Sequence, residues 1–158
     1  MTKAKKVLYL LITTIFFVVF NLCFSDLILN DFRFKMTENP FLDLIFVQNT
    51  GAAFSILENS KIFLILFSLI AILLILNYVI KNLEKLTTFA VFWASMLISG
   101  VGCNLYERIT FGYVRDFFKL NFIEFPVFNI SDIFINVSVI ALIVIIIKNK
   151  YLRNENKN

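Results

Sequence analysis

Residues 62–80 read IFLILFSLIAILLILNYVI, an apolar run broken only by Ser68, Asn77 and Tyr78. At about 1.5 Å per residue the run is about 28 Å long as a helix, close to the thickness of a bilayer's hydrocarbon core. Backbone N–H and C=O groups find no water at that depth. A spanning segment therefore satisfies them within itself as a helix, or between the strands of a closed barrel. The run lacks the alternation of a barrel strand and reads as a helix.

Three more stretches of this kind occupy residues 7–25, 87–106 and 130–147. With 59% hydrophobic and 16% charged residues, the chain is too apolar for a water-soluble domain of its length. The expected fold is an all-α membrane protein, a single integral membrane domain over residues 1–158. It has four transmembrane helices and a small β-sheet or extended region on one membrane face. Phe and Ile are so abundant that no single one is informative.

An even number of spans puts both termini on one side. The N-terminus, the link 81–85 and the tail from Lys148 carry nine Lys and Arg against Glu84 and Glu155, while the other side carries six against nine acids. Basic residues in short loops stay cytoplasmic, so the termini and the link are expected there, with connections 26–61 and 107–129 facing outward. The net charge of +4 reflects this topology and gives no hint of nucleic acid. Lys3, Lys5 and Lys6 before an apolar run also fit a secretory signal peptide. The run is long and no Ala-x-Ala-like cleavage site follows, so an uncleaved first helix is expected.

Histidine is absent, which removes Ser-His-Asp and Cys-His nucleophiles and the common zinc sites. Carboxylates, lysine and hydroxyls remain. Cys23 and Cys103 fall near the outer ends of their helices, where pairing is geometrically conceivable, but two free thiols are expected.

In the first outward connection, Asn39-Pro40 precedes residues 41–48, which suit a strand. Then comes Asn49-Thr50-Gly51-Ala52-Ala53-Phe54-Ser55, whose glycine and small residues suit a tight turn. An ordinary amphipathic loop accounts for this composition equally well. The second connection has a strand-like piece at 109–118 and ends at Phe125-Pro126-Val127-Phe128-Asn129-Ile130-Ser131-Asp132, where Asn129 is placed to cap the fourth helix. The Asn/Lys-rich tail 154–158 is expected to fray.

An ionisable side chain at membrane depth is a functional suspect by default. Asp132 sits in the first turn of the fourth helix, with Asn136 one turn below. Taken alone, it is accounted for most simply as a complement to the helix's positive N-terminus. Asp116 alone reads as a solvated loop acid. Both gain weight because the second connection and the start of the fourth helix can meet at the outer boundary. Two carboxylates at one site share a proton, so one acts as base and the other as acid, activating water against an amide carbonyl without a metal. A two-Asp metal site lacks further ligands. Asn104, Glu107 and Arg108 end the third helix, and Asn104 and Arg108 share a face. Interhelical hydrogen bonding and snorkelling explain them as well as a site role does.

Four segments together resemble the lipoprotein signal peptidases, or signal peptidase II, over nearly the whole chain. They are Asn49 to Ser55; Ser99-Gly100-Val101-Gly102-Cys103-Asn104-Leu105-Tyr106-Glu107-Arg108; Gly112-Tyr113-Val114-Arg115-Asp116-Phe117; and Phe125 to Asp132. The resemblance implies a catalytic dyad of Asp116 and Asp132. It also implies that Asn49, Gly51, Asn104, Glu107, Arg108 and Asn129 bind substrate or support the dyad. The implied substrate is a bacterial prolipoprotein with a diacylglyceryl-modified cysteine, cut on the N-terminal side of that cysteine. No cofactor or metal is implied. The partners are that precursor and membrane lipids, and the chain is expected to be a monomer in the bacterial cytoplasmic (inner) membrane with its site at the outer face. A signal helix with acyl chains dissolves only in the bilayer, so lateral entry between helices is expected, with the surface strands and the Gly51 turn closing over the lipid.

The sequence departs from the family pattern in places. Glu107 stands for Asp, Ser131 for Ala, and Ser99-Gly100-Val101-Gly102-Cys103 for a Gly-Gly-x-x-Gly run. An Asp and Lys of the first helix are replaced by Asn21 and Ser25, a neutral pair, with Asp26 just beyond. Two other readings stand beside the peptidase. One is a transporter or assembly factor using Glu107, Asp116 and Asp132 for ions or bracing. The other is a Ser-Lys peptidase pairing Ser131 or Ser55 with Lys61 or Lys119. Transporters keep their acids near the midplane, whereas these lie at one boundary.

Overall fold

The computed structural model describes residues 1–31, 40–51, 57 and 60–155. Among them lie, in chain order, α1 (Lys3–Asp31), β1 (Leu42–Asn49), α2 (Lys61–Asn82), α3 (Thr88–Thr110), β2 (Val114–Leu120) and α4 (Ile130–Glu155). All four helices are long and apolar enough to span a bilayer. Each outruns the stretch that hydropathy marks, because a helical ladder continues past the hydrocarbon boundary wherever its residues allow. For the same reason residues 109–110, read as strand-like, belong to α3, and the strand starts only at Val114.

The helix at the centre is the least apolar one. The spanning window of α3 has a mean hydropathy of 1.5 and is 61% buried, against 2.8 and 17% for α2. In lipid nothing drives Leu or Ile inward, so small residues that permit close approach collect at helix interfaces instead. α3 packs against α1, α2 and α4, while the backbones of α1 and α4 stay further apart and meet through long side chains, Phe17 and Phe20 against Phe134. A Cβ at Gly100 would fall 2.8 Å from the Ser131 carbonyl oxygen and 2.9 Å from the Ile135 side chain, so α4 crosses α3 directly over this glycine. Midway, Thr13 Oγ1 donates to Ser95 Oγ (2.7 Å), tying α1 to α3.

α3 is capped at its start by Thr87, whose hydroxyl accepts from the Ala90 amide (3.1 Å). It ends through Gly112, whose φ of +89° reverses the chain into β2 as its amide donates to the Arg108 carbonyl (3.2 Å). β1 and β2 form an antiparallel two-stranded sheet at the end of the bundle where α3 finishes and α4 begins. At the opposite end the buried Lys6 ammonium donates to the carbonyls of Leu83, Glu84 and Leu86 (3.0, 3.1 and 2.6 Å), closing the turn between α2 and α3.

Candidate active site

The sheet register decides which side chains face the bundle. Leu44 lies opposite Phe118, but Val47 lies opposite Asp116, so β1 carries one extra residue between them. Opposed residues share a face and alternate residues swap faces, so without this bulge Asn49 would point away from Asp116. With it, Asn49 Nδ2 donates to Asp116 Oδ2 (2.9 Å). The Asn49 Oδ1 accepts from the Gly51 amide (2.9 Å), which fixes the start of the turn.

A third backbone piece joins β2. Phe128 bridges to Phe118, its amide donating to the Phe118 carbonyl (3.1 Å) and its carbonyl accepting from the Phe118 amide (2.8 Å). This lays Asn129 beside Asp116. Asn129 caps α4 as expected, its Oδ1 accepting from the Asp132 amide (3.0 Å), while Asp132 Oδ2 accepts in return from the Asn129 amide (3.1 Å). The pair is a reciprocal capping box with Asp at the third helical position. The helix-terminal reading of Asp132 therefore holds alongside any other role.

The remaining amide of Asn129 points the other way. Its Nδ2 donates to Asp116 Oδ1 (2.8 Å) and to Asn104 Oδ1 (3.2 Å), and Asn104 Nδ2 donates to Asp132 Oδ1 (2.9 Å). One asparagine thus touches both carboxylates, which arrive from β2 and α4. Asp116 is 1% exposed. Burial first, and then the charge of Asp132, push its carboxyl from an ordinary 3.8 up to about 7, against the hydrogen bonds from Asn49 and Asn129, which pull it down. Such a group holds or releases a proton near neutrality.

Arg108 and Glu107 hydrogen-bond to neither carboxylate, although each is near enough for its charge to be felt there. Arg108 is buried and donates through Nη2 to the Gly51 carbonyl (2.8 Å), linking α3 to the turn after β1. Glu107 does not bond to either aspartate. Its Oε2 accepts from the Arg115 backbone amide (2.7 Å), and its Oε1 takes the guanidinium through Nε (2.9 Å) and Nη2 (2.8 Å). Arg115 also reaches Asp26 of α1 (3.1 Å) and lies 4.7 Å over the Phe111 ring. The extra methylene of Glu107 thus spans to the strand that carries Asp116.

Residues 12–148 match the family model described as Signal peptidase (SPase) II. The chain belongs to the signal peptidase II family. Lipoprotein signal peptidases are among its relatives. That of Buchnera aphidicola subsp. Schizaphis graminum is 37% identical over 156 residues, covering 93% of this chain and 97% of the relative. That of Enterococcus faecalis is 35% identical over 118 residues, covering 75% and 73%. A solved bacterial membrane enzyme superposes with a TM-score of 0.77 at 26% identity, over 89% of this chain and 88% of the other. As a signal peptidase II, the chain is a multi-pass bacterial membrane peptidase.

Within this signal peptidase II, two departures from the family pattern meet in space. Asn21 Nδ2 donates to Ser131 Oγ (2.9 Å), and both residues are buried. The sequence singles out each position but carries no sign that they are partners, since 110 residues separate them. Ser131 Oγ accepts this bond, and among the described residues no lysine is hydrogen-bonded to it as a Ser-Lys mechanism would need. Cys23 is exposed and Cys103 buried, and both thiols are free. The Asn39, Ala52 to Ser55 and tail-end expectations, including Ser55 as a nucleophile, fall outside the described residues.

Proposed function

We propose that this chain is an aspartic endopeptidase that removes signal peptides from diacylglyceryl-modified prolipoproteins, cleaving on the N-terminal side of the lipidated cysteine. Asp116 and Asp132 form its dyad. The observation that carries this reading is the single Asn129 side chain and backbone donating to both carboxylates. Family membership and relatives named lipoprotein signal peptidase support the substrate class.

The dyad holds one proton, kept up to about pH 7 on Asp116 by its burial and by the neighbouring charge. The ionised partner takes a proton from water as the water oxygen attacks the scissile carbonyl carbon. The protonated partner donates to the carbonyl oxygen, and proton return to the nitrogen releases the amine. Asn104 and Asn129 aim Asp132, Asn49 aims Asp116, and Arg108 holds the Gly51 turn at the rim. Precursor enters between the lipid-facing helices, because neither its apolar helix nor its acyl chains leave the bilayer. The charge asymmetry of the loops puts this end of the bundle outward and the termini in the cytoplasm. The enzyme works as a monomer without a cofactor.

The test is cleavage of a diacylglyceryl precursor by purified protein in detergent or bilayer. Asp116→Asn and Asp132→Asn should each abolish cleavage with the helical fold retained, and a chelator should change nothing. Near wild-type turnover by either variant defeats the dyad. Activity lost to chelator and restored by a divalent ion points to metal chemistry instead.

A further inference from the structure

We infer that the hydrogen bond from Asn21 to Ser131 is a positioning strut that sets the rotation of α4, and with it where Asp132 points. The inference rests on the reading of Asp116 and Asp132 as the dyad.

Successive helix positions point about 100° apart, so Ser131 and Asp132 leave the first turn of α4 in different directions. Asp132 is held on one side by Asn104 of α3 (2.9 Å). On the next, the Ser131 hydroxyl is held by Asn21 of α1 (2.9 Å), and the Ser131 carbonyl lies over Gly100 of α3. α1 and α4 otherwise meet through apolar contacts, Phe17 and Phe20 against Phe134, so this bond is a polar link between them beside the dyad. Asn21 and Ser131 are each 3% exposed, which leaves no water to take over if the bond breaks. A rotation of α4 by only about 6° at a side-chain radius of about 5 Å would move the Asp132 carboxylate by about 0.5 Å. A misplacement of about 1 Å is enough to lower a rate by about a hundredfold. Asn21 and Ser131 touch neither aspartate's carboxyl in the hydrogen bonds described, so they act through the helix and are positioning residues.

The experiment is a double-mutant cycle of Asn21→Leu, Ser131→Ala and their combination, with kcat, KM and melting temperature measured on the diacylglyceryl precursor, and Asp132→Asn run in parallel. Each single variant should lower kcat about tenfold, about 1.4 kcal/mol, with KM changed by less than about twofold. The double variant should be no slower than the slower single, because the bond is lost only once. It removes donor and acceptor together and leaves no buried orphan, so it carries the test even where Asn21→Leu fails to fold. Wild-type kcat in the double variant, or single-variant losses that multiply in it, overturns the strut while an inactive Asp132→Asn leaves the dyad standing. An active Asp132→Asn overturns the dyad, whatever the cycle gives.

Discussion

Lys6 and Asp116 are both buried ionisable groups, one at each end of the bundle, and they are held in opposite ways. The Lys6 ammonium has three N–H donors and three carbonyl partners, at the negative end of α2. Every demand is met, and the charge has nothing left to do but close a turn. Asp116 is surrounded by neutral amide donors from Asn49 and Asn129 and lies beside a second carboxyl. Its charge is only partly compensated, so its proton is easily exchanged. A buried charge that is fully matched holds a fold together, and one left beside a like charge is poised for chemistry.

That contrast can be broken most directly at Asn129. Asn129→Ser keeps an oxygen to cap α4 but removes the amide that reaches Asp116 and Asn104. Leaving the buried acceptors on Asp116 and Asn104 without this donor costs about 1–3 kcal/mol, so kcat should fall about fivefold to a hundredfold with the protein still folded. Unchanged turnover would show that the shared donor is only a helix cap.

Lys6→Met should do the reverse. Three carbonyls at the α2–α3 turn lose their donor, so stability should drop by about 1–3 kcal/mol in thermal unfolding. Cleavage by the folded protein should match wild type, because the proposed dyad lies at the far end of the bundle. A loss of kcat would mean the two ends are coupled.

A further test is the pH dependence of stability. The folded-state pKa of Asp116, about 7, lies above its ordinary 3.8, so the folded protein binds a proton that the unfolded chain has released between those values. The contribution is fully present below 3.8 and is lost as pH rises through about 7. The melting temperature of wild type should therefore fall relative to Asp116→Asn across this window and run parallel to it above. In activity, the same titration predicts an alkaline limb with a midpoint near pH 7, which Lys6→Met should leave in place. A gap in melting temperature that does not vary with pH would show that Asp116 is not the titrating group.

Much of this molecule was legible in the order of its residues. The four spans followed from apolar length, because a bilayer imposes a one-dimensional requirement on each segment that needs no knowledge of its neighbours. The absence of histidine narrowed hydrolysis to carboxylates, lysine and hydroxyls, and Asn129 read as a cap because capping is settled within one turn of helix. The pairing of Asp116 with Asp132 came from resemblance; by themselves the two acids read as a loop charge and a helix-end charge.

What the tertiary structure decided is which faces meet. The extra residue in β1 that turns Asn49 toward Asp116, the bridge from Phe118 to Phe128 that delivers Asn129, the span of Glu107 to Arg115, and the bond from Asn21 to Ser131 all join segments whose relative rotation no local pattern specifies. A run of Ile, Leu and Phe tells a helix to enter the membrane but is nearly the same on every side. Only the packing of small residues on α3 and a few buried hydrogen bonds set how each helix turns about its axis, and those exist only once the helices are together.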